Sequence, residues 1–142
     1  MDKGLIARAS VTIHAPRAKV WAALVTPDAV QHYMFGTRVA SDWREGSPIT
    51  WSGEWQGQAY QDKGQVLTFK PERTLRYTHY SPLSGAPDLP DSYHTVTVEL
   101  SGEGDQTHVA LSQDNNATED ERDHSAKNWE MVLAALKQYV EQ

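Results

Sequence analysis

The sequence predicts an α+β fold: a curved, seven-stranded antiparallel sheet wrapped around a long C-terminal helix, with two short helices after the first strand. Three observations carry this. The chain opens on a period-two segment. Six further strand-like segments follow between residues 37 and 114, separated by turn chemistry. It closes on one long apolar stripe at helical spacing.

From Leu5 to His14, Leu5, Ala7, Ala9, Val11 and Ile13 alternate with Ile6, Arg8, Ser10 and Thr12, a half-buried strand. Ala15-Pro16 ends it, and Pro16 suits the first turn of a helix, where its missing N–H would have had no partner. Val20, Trp21, Leu24 and Val25 follow at helical spacing. Pro27 disfavours helical geometry at Thr26, so a second short helix, with Val30, Tyr33 and Met34 on one side, leaves at an angle. Strands are expected near 37–41, 48–55, 59–69, 74–81, 92–101 and 106–114. The breaks are Glu45-Gly46, Gln56-Gly57, Pro71-Glu72-Arg73 and Gly102 to Asp105. One break is long, Pro82 to Asp91, and its three prolines make it a stiff surface connector or a lid with Leu83 and Leu89 as apolar contacts. Thr118 and Glu121 form a capping box. Ser125, Trp129, Val132, Leu133, Leu136, Tyr139 and Val140 then make the apolar stripe of a helix of about 24 residues. Only the sheet offers a surface broad enough to cover it.

Residues 1–142 are expected to form a single domain. The 39% apolar content suffices for a core, so wholesale disorder is not expected. Thirteen Lys and Arg against nineteen Asp and Glu give a charge of −6, which repels phosphate backbones and argues against nucleic acid as a partner. No cysteine is present, which excludes disulfides, thiol catalysis and thiolate metal sites. No apolar run approaches the ~20 residues of a membrane span, and no secretory signal is visible, so a cytoplasmic location is expected.

Strand parity nominates the residues facing the helix. Ile49, Trp51, Gly53 and Trp55 share one face. Leu75, Tyr77 and His79 share another, as do His94, Val96, Val98 and Leu100, and Val109, Leu111 and Gln113. The 59–69 strand is ambiguous, because Val66, Leu67 and Phe69 are all apolar; with the parity of Val66, Asp62 would join the histidines. Two histidines and a glutamine among aromatics are more polar than a purely structural core tends to be. Trp129 and either Tyr33 or Met34 can close the space. The expected ligand-binding set is Tyr33, near the mouth, with Trp51, Trp55, Tyr77, His79, His94 and Trp129.

Other chemistry finds little support. Asp120 or Glu121 with His124 supplies two metal ligands at helical spacing and no third, so neither metal nor cofactor is expected. There is no Gly-x-Ser-x-Gly elbow, phosphate-binding loop or dinucleotide fingerprint, and no catalytic residue is nominated.

The run Pro16 to Leu24 followed by Thr26-Pro27-Asp28 resembles the opening of START-like (SRPBCC, helix-grip) domains, and more narrowly the group of activators of heat-shock-chaperone ATPase (Aha-type). Gly64 to Leu67 with Pro71 to Thr78 resembles that group's central hairpin, and Asn128 to Lys137 its C-terminal helix. Two departures are His32-Tyr33-Met34-Phe35, where Trp-Trp or Trp-Phe is usual, and Gln113, where His is common. The resemblance implies a helix-grip fold and three functions. The first is binding of a small, mainly hydrophobic ligand between sheet and helix. The alternatives are a co-chaperone-like interaction module, or a small cyclase or dehydratase. A homodimer through a free sheet edge or an exposed aromatic such as Trp43 is compatible with the pattern.

Overall fold

A computed structural model describes residues 4–142; the side chains of Trp55 and Leu83 lie outside the described set. The order is β1 (Leu5–Ile13), α1 (Arg17–Val25), α2 (Pro27–Tyr33), β2 (Arg38–Ser41), β3 (Pro48–Trp55), β4 (Gln58–Lys70), β5 (Thr74–His79), β6 (His94–Ser101), β7 (Thr107–Asn116) and α3 (Glu119–Glu141). The strands form one antiparallel sheet in the spatial order β1-β7-β6-β5-β4-β3-β2. Every neighbour but β1–β7 is joined by a sequential hairpin connection. β1 reaches β7 because α1 and α2 carry the chain from one sheet edge to the other. The fold is the helix grip expected from the sequence.

The alternation in β1 buries Ala7, Ala9 and Ile13 and exposes Ile6, Arg8 and Ser10. Val20, Trp21 and Ala23 of α1 and Ala29, Val30 and Tyr33 of α2 turn onto the same core. α3 buries Leu133, Leu136 and Val140 against it. Its start is capped as expected, the Glu121 N–H donating to Thr118 Oγ1 at 3.1 Å. The returning carboxylate accepts from the N–H of Ala117 rather than that of Thr118, at 3.2 Å. Its far end is tied to β1: Lys137 Nζ donates to the Thr12 carbonyl at 2.9 Å, and the His14 N–H donates to Glu141 Oε2 at 2.8 Å.

β4 departs from simple alternation. Its first half pairs with β3 and its second with β5, with a register shift between Val66 and Thr68. Val66 is fully buried, Leu67 is exposed, and Phe69 turns inward again against Trp21 and Trp43. The extra residue of the bulge places Val66 and Phe69, three apart, on one side. Gly64 lies just before it, and a Cβ there would stand 1.7 Å from the carbonyl oxygen of Thr78.

Three expectations need correction. Trp43 is half-buried and packs on Phe69, 6.1 Å between ring centroids, so it is not a free surface aromatic. β5 stops at His79 and β6 starts at His94, because Tyr80 bridges to Lys63 and the chain then makes two 3-10 turns, Pro82–Ser84 and Pro90–Ser92. The connector between them is no lid. Its hydrogen bonds run to Tyr80 and Tyr93, whose rings stack on each other, and its Asp88 pairs with Lys63. Leu89 is 56% exposed and lies with Lys63, Gln65 and Thr78, residues outside the set that faces the helix; Leu83 lies outside the described side chains.

Candidate functional site

The two halves of α3 meet the sheet differently. The C-terminal half carries the buried leucines. The N-terminal part, as far as Val132, presents Ser125, Asn128, Trp129 and Val132 across a gap to β3, β4, β5, β6 and β7. The gap is a partly open cavity of about 320 Å³. Its apolar wall is Met34, Trp51, Tyr77, Val96, Trp129 and Val132, and its polar groups come from Thr37, Tyr60, Asp62, His79, His94, Gln113, Ser125 and Asn128. Neither lysine nor arginine is among the lining residues. A smaller apolar void of about 40 Å³ lies deeper, lined in part by Tyr33, Trp51, Tyr77 and Trp129.

Strand pleat and bulge explain the grouping. Tyr60, Asp62 and Val66 share a parity on β4, so the parity ambiguity resolves with Asp62 inside. β5 and β6 pair His79 directly opposite His94, and the two rings lie 6.5 Å apart. Trp51 on β3 stands between Tyr77 and His79, at 5.1 and 5.0 Å between centroids.

The hydrogen bonds set the chemistry. His79 Nε2 donates to Asp62 Oδ2 at 2.9 Å, the side chains being 29% and 16% exposed. The other carboxylate oxygen, Asp62 Oδ1, is buried with no hydrogen-bond partner among the described residues. His94 Nδ1 lies 2.8 Å from the carbonyl oxygen of Asp114. A carbonyl only accepts, so Nδ1 carries the proton and Nε2 is left as an acceptor in the neutral ring. Trp129 Nε1 donates to Gln113 Oε1 at 2.6 Å. Gln113 belongs to a buried cluster around Asn116, which also receives the Ser125 hydroxyl at 3.2 Å. Tyr60 and Thr37 join hydroxyls at 2.9 Å. Burial pushes the phenols of Tyr33 and Tyr77 far above the usual tyrosine range, and proximity to Tyr77 pushes Tyr33 further.

Of the residues nominated from sequence, Trp51, Tyr77, His79, His94 and Trp129 line the cavity together. Tyr33 does not stand near its mouth. It is 4% exposed, lines the deeper void, and bonds weakly to the Leu24 carbonyl at 3.4 Å. Met34, the alternative closure, lines the cavity instead. The Trp55 side chain lies outside the described residues. Tyr60, Thr37, Ser125 and Asn128 were not nominated. Tyr60 shares the parity of Val66, and Ser125 and Asn128 precede Trp129 by one turn and one residue, which are the signals that would have found them.

This architecture coincides with known proteins. The family model described as Activator of Hsp90 ATPase homolog 1-like protein matches residues 14–141. The chain belongs to that family. The solution structure of ChR145 from Cytophaga hutchinsonii is similar at 51% identity and a TM-score of 0.86, covering 99% of this chain and 97% of that one. At 21% identity and a TM-score of 0.74, the Aha1 dimer from Colwellia psychrerythraea covers 96% of each chain. CalU16 from Micromonospora echinospora, at 23% identity and a TM-score of 0.71, covers 96% of this chain and 83% of that one. These last two are alike in fold. No curated protein matches the sequence. Among the described residues, no helix is long and apolar enough to cross a membrane.

Proposed function

We propose that this member of the activator-of-Hsp90-ATPase family is a cytoplasmic ligand-binding domain that holds a small, mainly apolar molecule between its sheet and the N-terminal half of α3. The observation that carries this is the cavity of about 320 Å³, which combines aromatic walls with convergent polar groups at the size of small-molecule sites. Trp51, Tyr77 and Trp129 supply flat packing surface. His79, His94 and Asp62 orient a polar group of the ligand. Tyr33 supports the floor from the deeper void. A core optimised only for stability would have closed such a gap, since unfilled volume forfeits dispersion contacts.

The test is a screen of apolar compounds by two-dimensional NMR. Saturable shifts confined to the indole N–H signals of Trp51 and Trp129 and to backbone signals around His79 and His94 are expected. Asn128→Trp, a change at an exposed rim position, should weaken that binding without lowering the melting temperature. No saturable shift across chemically broad compounds would remove the proposal. A second reading, activation of a chaperone ATPase, is favoured by the family match. A chaperone ATPase rate unchanged by the purified protein would dismiss it; sedimentation decides whether the chain pairs.

A further inference from the structure

We infer, on the reading of the cavity as a ligand site, that its ligand is an uncharged aromatic alcohol of about two or three rings, held by its hydroxyl donating to His94 Nε2, and that aliphatic and aromatic carboxylates are excluded.

The argument starts from what the cavity offers a charge. An anion moved out of water needs a fixed cation or several donors to replace its hydration. Asp62 is the one formally charged carboxylate on the wall, and neither lysine nor arginine stands with it. Its single bond to His79 leaves Oδ1 buried and unpartnered. The His79 Nε2–H is committed to Asp62 and so does not serve an incoming anion. A ligand carboxylate would therefore meet a like charge in a partly enclosed site, with no compensating cation among the lining residues.

The acceptor comes from His94. The Asp114 carbonyl holds the proton on Nδ1, which leaves Nε2 with a lone pair and no protein partner among the described residues. A hydroxyl donor on the ligand satisfies it; an ether of the same shape does not. Much of the remaining wall is ring surface, beside the aliphatic side chains of Met34, Val96 and Val132. Trp51, Tyr60, Tyr77 and Trp129 border the same space as the two imidazoles. Flat aromatic ligands stack on such surfaces with little ordering cost, whereas a flexible acyl chain gains less from them. The cavity volume suits a molecule of that size.

Calorimetric titration with three probes of matched shape decides the matter: 2-naphthol, 2-methoxynaphthalene and 2-naphthoate, at neutral pH. The alcohol should bind about tenfold more tightly than the ether, the value of one net hydrogen bond, and the carboxylate more weakly than either. His94→Phe keeps a flat ring and removes the acceptor. It should bring the alcohol and ether to within about twofold of each other while the ether still binds. Asp62→Asn should narrow the gap between ether and carboxylate. Equal affinity for alcohol and ether in the unaltered protein, or tightest binding of the carboxylate, overturns the inference while leaving ligand binding in place. Binding of none of the three, with no hit in the broad NMR screen, removes the binding reading and this inference with it. Because the probe ranking is read in the unaltered protein, a variant that fails to fold does not blunt the test.

Discussion

Replacing Gly64 by alanine should be among the most damaging single-methyl additions in this protein. The glycine is needed for space rather than for a left-handed backbone. An ideal Cβ would sit 1.7 Å from the Thr78 carbonyl oxygen and 2.6 Å from its carbonyl carbon, both of them backbone atoms that no rotamer change can move. A carbon and an oxygen rest about 3.3 Å apart, so the strands must part by roughly 1.6 Å. That opening strains the reciprocal Lys63–Tyr80 backbone bonds, at 3.0 and 2.7 Å, and the 2.9 Å bond from the Gln65 N–H to Thr78 Oγ1. Two or three bonds at about 1 kcal/mol each, plus an overpacking cost of about 1–3 kcal/mol, give about 3–6 kcal/mol. Against a typical domain stability of about 5–15 kcal/mol, this lowers the melting temperature by about 10–20 °C. Thermal and urea unfolding followed by tryptophan fluorescence measure it. Gly85→Ala is the control: its φ of 81° strains an alanine, but nothing lies within 4 Å of the new methyl, so about 1 kcal/mol is expected. Asp62 is two residues upstream, so imidazole nitrogen shifts of His79 should also report loss of its bond to Asp62. If Gly64→Ala melted within about 3 °C of Gly85→Ala, the close strand approach would be wrong.

Two further outcomes are expected. Gln113→Leu removes the acceptor of the Trp129 indole, 2.6 Å away, and should cost about 1–3 kcal/mol in urea unfolding while moving the Trp129 indole proton signal; an unmoved signal would deny the bond. The His14 backbone N–H and the Lys137 ammonium hold the Glu141 carboxyl below its ordinary value of 4.5. A folded pKa below the unfolded one adds stability that is present above the ordinary value and fades as pH falls through the folded value. The stability gap between the unaltered protein and Glu141→Gln should therefore shrink on acidification through that range, and a gap constant with pH would refute the linkage.

How much the sequence disclosed depended on whether a segment obeyed one period. β3, β5 and β6 alternate, as do β1 from Ala7 and β7 as far as Gln113, and parity alone brings Trp51, Tyr77, His79 and His94 to one side. α3 repeats at helical spacing, so Trp129 could be set on the same cavity. β4 obeys two phases joined by a bulge, and no single parity accommodates both Val66 and Phe69. Asp62 and Tyr60 therefore face inward only on the phase set by Val66, which the sequence alone does not select. The contact that half-buries Trp43 is not legible either, because its partner Phe69 lies after the bulge. The lid reading of residues 82–91 failed for a different reason. Proline content reports stiffness, whereas the direction of the loop is set by Tyr80, Tyr93 and Lys63, which hold it away from the cavity. Tyr33 was displaced by one residue: α2 ends there, and the turn after it delivers Met34 to the cavity.

The division of α3 explains how the fold can hold an unfilled space. Leu133, Leu136 and Val140 are buried to 2% or less, and the bonds from Lys137 and to Glu141 lock that half onto β1. The N-terminal half is held by polar bonds, from Trp129 to Gln113 and from Ser125 to Asn116, together with the cap at Thr118. Polar bonds fix a helix at a set distance from a sheet, whereas apolar side chains draw the two surfaces together until they touch. Asn116 is itself 1% exposed and spends its amide on the carbonyls of Leu5 and Gln113, so the anchor is as rigid as the core. The buried amides thus act as spacers. They keep Trp129 facing Trp51 and Tyr77 across open volume, and they leave His94 and the Asp62–His79 pair free of any structural duty toward the helix.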